Sequence, residues 1–520
     1  MDVTPASAPS KRRPILRAIG LAVLVAFVTY AAFAVYLATR PVVISLDAVQ
    51  RFRESLPVGH GADDAAWPGY RDALMAMGYE KGVPKDEGIR DALGCRPGDD
   101  DWKSIAPWID ARQAPIIASR TASKRPVFGF PVGHQLAPVD AALLGDAVTN
   151  DPFGTDWRDR DHFPMFALTL PHYAVTRSLA RVLSSDLFRA AETGDGARAT
   201  EDALALMALS MHVPEGRLLI GDLIGMAIRR IAATSIIGVL EWKPEVFTEQ
   251  QLRRMQSSLR SVPVALERLD LASERLAFQD VVQRMYSDDG DGDGWFVPTW
   301  SQLRLLNDLQ GISGGAFQGG VPPWVVTAFV GALRPLGAFG IAGRKDTLSH
   351  YDALIARFEQ VPTASARQAL GAVGDIDAAL QRQMSNRAAA AHWFLESLLA
   401  PALGQAVVNV ALDRATRESA CAAIAAELFH RANKRWPTTA AELASFNGGI
   451  VPADPWTDGP IRMAIDDAGF RMWSMGRDGK DDGGDPMRTP ALSTNPNPRG
   501  DASGDWVWFA PRGNLDRWRN

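Results

Sequence analysis

The sequence predicts a mainly α protein with three parts. These are an N-terminal transmembrane helix, a body of helical hairpins arranged as a bundle or short solenoid, and a small α+β module with an antiparallel hairpin at the C-terminus. Three observations lead there. Residues 18–38 form one uncharged apolar run. From Leu168 onward, apolar residues recur at the three- and four-residue spacing of amphipathic helices, punctuated by Gly and Pro. After Lys434 the texture changes to short apolar runs separated by turn residues. The expected divisions are a basic tail and anchor (1–40), an irregular region rich in Pro, Gly and Trp (41–165), a helical body (166–416) and the α+β module (417–520).

The anchor reads AIGLAVLVAFVTYAAFAVYLA, 21 residues from Ala18 to Ala38 without a charge. At about 1.5 Å per residue it matches a hydrocarbon core about 30 Å thick. Lys11, Arg12, Arg13 and Arg17 precede it. The positive-inside rule then places the N-terminus in the cytoplasm and the body outside a bacterial cytoplasmic membrane, crossed once. Ala32-Phe33-Ala34 offers a signal-peptidase site as the competing reading, but the run exceeds the usual apolar stretch of about 7–15 residues. Both readings export the body.

Composition is that of a folded protein, 47% hydrophobic and 22% charged in 520 residues. Residues 1–40 carry five Lys or Arg against Asp2, a balance of +4, so the rest must carry −9 to reach the net −5. That balance argues against a nucleic-acid partner. Cys95 and Cys421 are the only cysteines, with no CxxC or Cys/His cluster, and are expected to be unpaired.

In the body, Leu179, Val182, Leu183 and Leu187 share one helix face, stopped at Thr193-Gly194-Asp195-Gly196. Leu204, Met207, Ala208 and Met211 make the next stripe, ended by Val213-Pro214-Glu215-Gly216. A nearly all-apolar helix follows over Leu218–Leu240. Thr248-Glu249-Gln250-Gln251 is a capping-box start for a fourth, and a fifth is expected over Val264–Tyr286. Consecutive helices with short breaks form antiparallel hairpins. Trp324–Ala342 is apolar but carries Arg334 and Pro335, so it reads as a core helix or membrane-surface segment rather than a second span. Helices resume over Lys345–Gln360 and from Ala364 to about Lys434.

The C-terminal module opens with the helix Arg417–Lys434 and a short helix after Pro437-Thr438. Two strands, Ile461–Ile465 and Phe470–Ser474, then flank Asp466-Asp467-Ala468-Gly469 at hairpin spacing. The alternation of Trp506 and Trp508 predicts a last strand covering the module. With WPTTAAEL, DPWTDGP and SMGRDGKDDGG in this order, residues 417–485 resemble the C-terminal domain of the major pseudopilin of type II secretion, within the type IV pilin-like fold. The resemblance implies that the Gly-rich loop binds calcium, with Asp478 at the position of the family's loop Asp. Asp485 and Asp505 are further candidates by approximate position. The chain departs from the family at its other end. Gly20 is followed by Leu21-Ala22-Val23-Leu24-Val25, without the Glu of a prepilin-peptidase site, which argues against a pilus subunit. The remaining layout resembles uncharacterised membrane-anchored bacterial proteins.

Two other stretches carry candidate chemistry. Asp289, Asp291 and Asp293 alternate with Gly290, Gly292 and Gly294, as in the first half of a calcium loop, but position twelve is Trp300 where a bidentate Glu belongs. DWRDRDHFP gathers Asp156, Asp159, Asp161 and His162, either a charged loop paired with Arg158 and Arg160 or the acid–base pair of a hydrolase. His134 and His172 read as lone structural histidines. No G-x-S-x-G, H-E-x-x-H or Walker motif occurs. The expected function is therefore a membrane-anchored envelope scaffold or binding protein, linked to secretion or assembly, with a calcium-ordered module and a protein partner. An exported hydrolase using Asp156–His162 is the alternative.

Overall fold

A computed structural model describes residues 12–56, 64–132, 136–145, 165, 168, 170–297, 335, 337–338, 340–399, 403–467, 469–484, 504–511, 513 and 515. The protein is mainly helical, with an N-terminal apolar helix and a three-stranded antiparallel sheet near the C-terminus, as its sequence patterning predicts. It divides into two compact units, neither continuous in sequence. The first comprises 1–47, 278–353 and 381–400; the second comprises 48–277, 354–380 and 401–520.

The first unit holds the apolar helix Arg12–Ala38. Among the described residues, two helices are long and apolar enough to cross a membrane, and burial separates them. Only 6% of Ile19–Ala38 is buried, against 72% of Leu219–Trp242, which is a core helix. The C-terminal end of this helix packs into its unit through Leu37, which joins Val297 and Ala338 in a small core bordered by Phe33, Val42 and Trp295. Nearby, the Tyr286 and Phe296 backbones form an antiparallel bridge, and Phe278 stacks on Tyr351 at 3.7 Å between ring centroids.

The second unit is built on the hairpin His172–Thr193 and Gly196–His212. Gly194 closes the first helix in the left-handed region (φ 81°), which a β-carbon would oppose. Leu219–Trp242 packs against both helices and along Leu403–Asn433. Both helices bury small residues: Ala232, Ala233 and Gly238 on one, Ala422, Ala423, Ala425 and Ala426 on the other. A β-carbon at Gly238 would meet the Phe188 ring at 3.0 Å. The capping box at Thr248 forms in both directions, opening Glu249–Arg260.

Three stretches are more finely divided than the sequence pattern alone indicates. The helix expected from Val264 begins at Ala272, because the Asp270 carboxylate caps the Ala272 amide at 3.0 Å; only a 3₁₀ turn precedes it. The helical run expected from Ala364 to Lys434 breaks after Ser385, where Asn386 accepts from the amides of Ala388 and Ala389 and starts a new turn. Within 41–165, short helices form at Trp67–Ala76, Glu87–Ala92, Trp102–Asp110, Gln113–Ala122 and Pro138–Leu144, with a tight hairpin pairing Tyr79–Glu80 and Val83–Pro84.

The helix that opens the α+β module is continuous with the body, running unbroken over Leu403–Asn433. The sheet follows as Arg462–Asp466, Gly469–Ser474 and Trp506–Phe509 in spatial order, all antiparallel. Its inner face stacks on Trp436, which lies parallel to the Phe470 ring at 4.8 Å and edge-on to Phe509 at 6.0 Å. The last strand contacts both Leu403–Asn433 and Leu219–Trp242, and the Ala510 amide donates to the buried carboxylate of Glu241. Module and body thus share one core.

Candidate metal site

The Gly-rich loop after the second strand is pinned at both ends by buried aspartates. At its start stands Asp454 of the DPWTDGP turn, 1% exposed. Its Oδ1 accepts from the Trp456 amide at 2.8 Å and from the Ser474 hydroxyl at 2.9 Å, and its Oδ2 accepts from the Met475 amide at 2.8 Å. A carboxylate fully occupied by donors within the fold is structural. At the loop's end the Gly484 amide donates to Oδ2 of Asp505 at 2.7 Å.

Between these pins the backbone needs glycine. Gly476 adopts φ 68°, and a β-carbon there would lie 2.6 Å from the Gly504 carbonyl oxygen. Gly484, at φ 83°, would collide with the Arg471 side chain, which donates through Nε to the Gly483 carbonyl at 2.8 Å. The loop therefore passes tightly over Gly504 and Asp505, just before the last strand.

Asp505 is the electrostatic focus. It is fully buried, and among the described residues its Oδ1 has no hydrogen-bond partner. Burial pushes its pKa up to about 6, and the neighbouring Asp481 and Asp482 carboxylates add to that rise against the donated amides of Gly484 and Asp482. Asp481 is held in place by the Trp473 indole at 3.1 Å and by Arg462 at 3.4 Å. Among the described residues, no three His, Cys, Asp or Glu side chains are grouped to hold a metal ion.

The other sequence candidates lie as follows. Asp478 is exposed and uses Oδ1 to accept from the Lys480 amide at 3.1 Å, closing its own turn. In the DGDGDG turn the three carboxylates are engaged separately. Asp289 pairs with Arg40 at 3.2 Å, Asp291 accepts from the Asp293 amide at 3.2 Å, and Asp293 accepts from the Gly294 and Lys345 amides at 2.8 and 3.1 Å. Asp485, Asp156, Asp159, Asp161, His162 and His134 lie outside the described residues. Cys95 and Cys421 are unpaired.

Sequence reasoning missed Asp481, Asp482 and Asp454 as partners of the loop. It also missed a buried aromatic nest in the second unit. There His172 lies against Phe130 at 3.9 Å, with burial lowering its pKa to about 3, and Tyr70 faces His212 Nδ1 at 3.0 Å. Glu215 accepts from the Phe128 amide, and burial raises its pKa to about 7. These residues come from positions far apart in the chain, and no local motif links them.

Comparison with family models, with curated proteins and with solved structures finds no match to the chain. The resemblance to the pseudopilin module therefore rests on its own motifs.

Proposed function

We propose that the chain is a membrane-anchored cell-envelope scaffold or binding protein, linked to secretion or assembly, whose pseudopilin-like C-terminal module is ordered by calcium. One observation carries this reading: the buried Oδ1 of Asp505, without a hydrogen-bond partner among the described residues, beside Asp481 and Asp482. A divalent cation at that oxygen offsets both the desolvation of Asp505 and the repulsion of its neighbours. Calcium then joins the Gly-rich loop to the last strand. That strand is packed on the body's two longest apolar helices, so ordering the loop presents a fixed surface on a rigid base. The body works as a platform, and the module's loop edge is the face offered to a protein partner.

Asp505 would supply the buried oxygen, and the carbonyls of the Gly-rich loop and Asp481 or Asp482 the outer ligands. Weak, extracellular-type affinity suits such a site, because few of its ligands are charged side chains from one rigid element. The test is the melting temperature of the full chain in lipid nanodiscs, with calcium on the order of millimolar or with a chelator. The whole chain is required, since the anchor's Leu37 belongs to the first unit's core. A higher melting temperature in calcium, reversed by chelation, is expected; identical curves in both conditions reject the calcium reading.

A further inference from the structure

The outer end of the anchor carries information about where the first unit meets the bilayer. Residues 19–29 of the helix are exposed throughout. Tyr30, Ala31, Phe33 and Ala34 are half-buried, and Leu37 is fully buried. These positions share one face at helical spacing. The covering residues are Val297 and Ala338, with Trp295 set edge-on to Phe33 at 5.4 Å. The opposite face remains open, with Val35 65% exposed.

Length decides what these covering residues face. The apolar run starts at Ala18, so if the membrane ended below Phe33 only residues 18–32 would lie inside it. Those residues span about 22 Å at about 1.5 Å each, short of a hydrocarbon core about 30 Å thick. The bilayer must therefore reach past Phe33 toward Ala38, about 7.5 Å further along the axis. Whatever packs on Phe33 and Leu37 then sits at the depth of the acyl–headgroup boundary.

Resting on the anchor reading above, we infer that Trp295, backed by the buried Val297 and Ala338, forms a wedge. It enters the acyl–headgroup boundary beside the anchor, on the side of the C-terminal body, with phospholipid as its partner. The half-exposed Trp295 ring is the amphipathic element that such a boundary favours. Two of the four carboxylates of the acidic turn next to it are paired with arginines. Asp288 pairs with Arg344 at 2.8 Å, Asp289 pairs with Arg40, and Arg40 also lies over the Tyr36 ring at 4.4 Å. The Asp288 amide donates to the Pro41 carbonyl at 3.1 Å, tying the turn to the residues just after the helix. Pairing two of its four carboxylates with arginines lowers the repulsion that this turn meets at a headgroup layer.

The test places an environment-sensitive fluorophore on Asp291→Cys, an exposed turn position, in full-length protein carrying Cys95→Ser; buried Cys421 stays unlabelled. The protein is reconstituted into vesicles of phosphatidylethanolamine and phosphatidylglycerol with and without a headgroup-nitroxide lipid, and membrane insertion is scored separately by alkaline carbonate extraction. Carbonate-resistant protein whose emission falls as nitroxide lipid is added is the expected result. Carbonate-resistant protein with unchanged emission overturns the wedge and leaves the anchor standing. Protein released by carbonate overturns both.

Discussion

The Gly484 amide and the Asp505 carboxylate meet at 2.7 Å across 21 residues of sequence, and that bond ties a glycine-rich loop to the last strand of the sheet. One oxygen of Asp505 is used in this way, and the other is buried without a partner among the described residues. A carboxylate half-satisfied in the fold is the point where an added cation has most to offer.

Asp505 sets a pH signature of the cation-free chain. Its folded pKa, about 6, is raised above its ordinary value. Its contribution to stability is therefore full below an ordinary carboxylate pKa of about 3.9 and is lost as pH rises through about 6. In chelator, Asp505→Asn should remove this loss and match or exceed the wild type in melting temperature at neutral pH. It should also erase any calcium response. A variant less stable than wild type in chelator across this range contradicts the assignment.

Gly476→Ala should weaken the loop itself. The left-handed backbone costs about 1–2 kcal/mol for a residue with a β-carbon, and that carbon would press on the Gly504 carbonyl at 2.6 Å. Amide exchange over 475–484 should speed up while exchange in Leu219–Trp242 stays unchanged. Equal protection in the variant and wild type would show that the loop does not need the glycine.

His172 acts in the opposite direction to Asp505. Burial lowers its pKa to about 3, so the unfolded chain binds the extra proton first as pH falls. The stability it contributes is present above about pH 6.5 and declines toward pH 3, by up to about 1.4 kcal/mol per pH unit. His172→Phe should flatten the acid side of a stability–pH curve without shifting the Asp505 feature. An unchanged acid limb would mean that other groups govern it.

Arg229 and Asp413, both buried, pair at 2.9 Å between Leu219–Trp242 and Leu403–Asn433. Asp413→Leu alone should cost about 3–5 kcal/mol, since it leaves the arginine buried without its charge partner. Arg229→Met should cost less, because Arg417 remains 3.4 Å from Asp413. Chemical denaturation of the single variants and the double variant reads the coupling; additive losses would mean that the pair is energetically independent.

The long helices were legible because their apolar stripes, Gly stops and caps are local: Gly194 and the Thr248 capping box fall where the pattern places them. The hairpin and the last strand were legible for the same reason, from alternation around Gly469 and at Trp506–Trp508. The division at Asn386 was not, because a single capping residue inside a helix-forming stretch leaves the periodicity nearly intact. The candidate site was half legible. Gly-rich composition marked the loop, and Asp505 was named by position. Its neighbours Asp481 and Asp482 emerge only once strand pairing folds residue 505 back beneath the loop. Asp454 likewise gains its role from a turn that is remote in sequence from Met475.

The most direct test is equilibrium dialysis of radioactive calcium against full-length protein in nanodiscs, comparing wild type with Asp505→Asn. Saturable binding to the wild type that the single substitution abolishes is the predicted result. Binding that survives Asp505→Asn, or no binding to the wild type on the order of millimolar calcium, would contradict a calcium-ordered module.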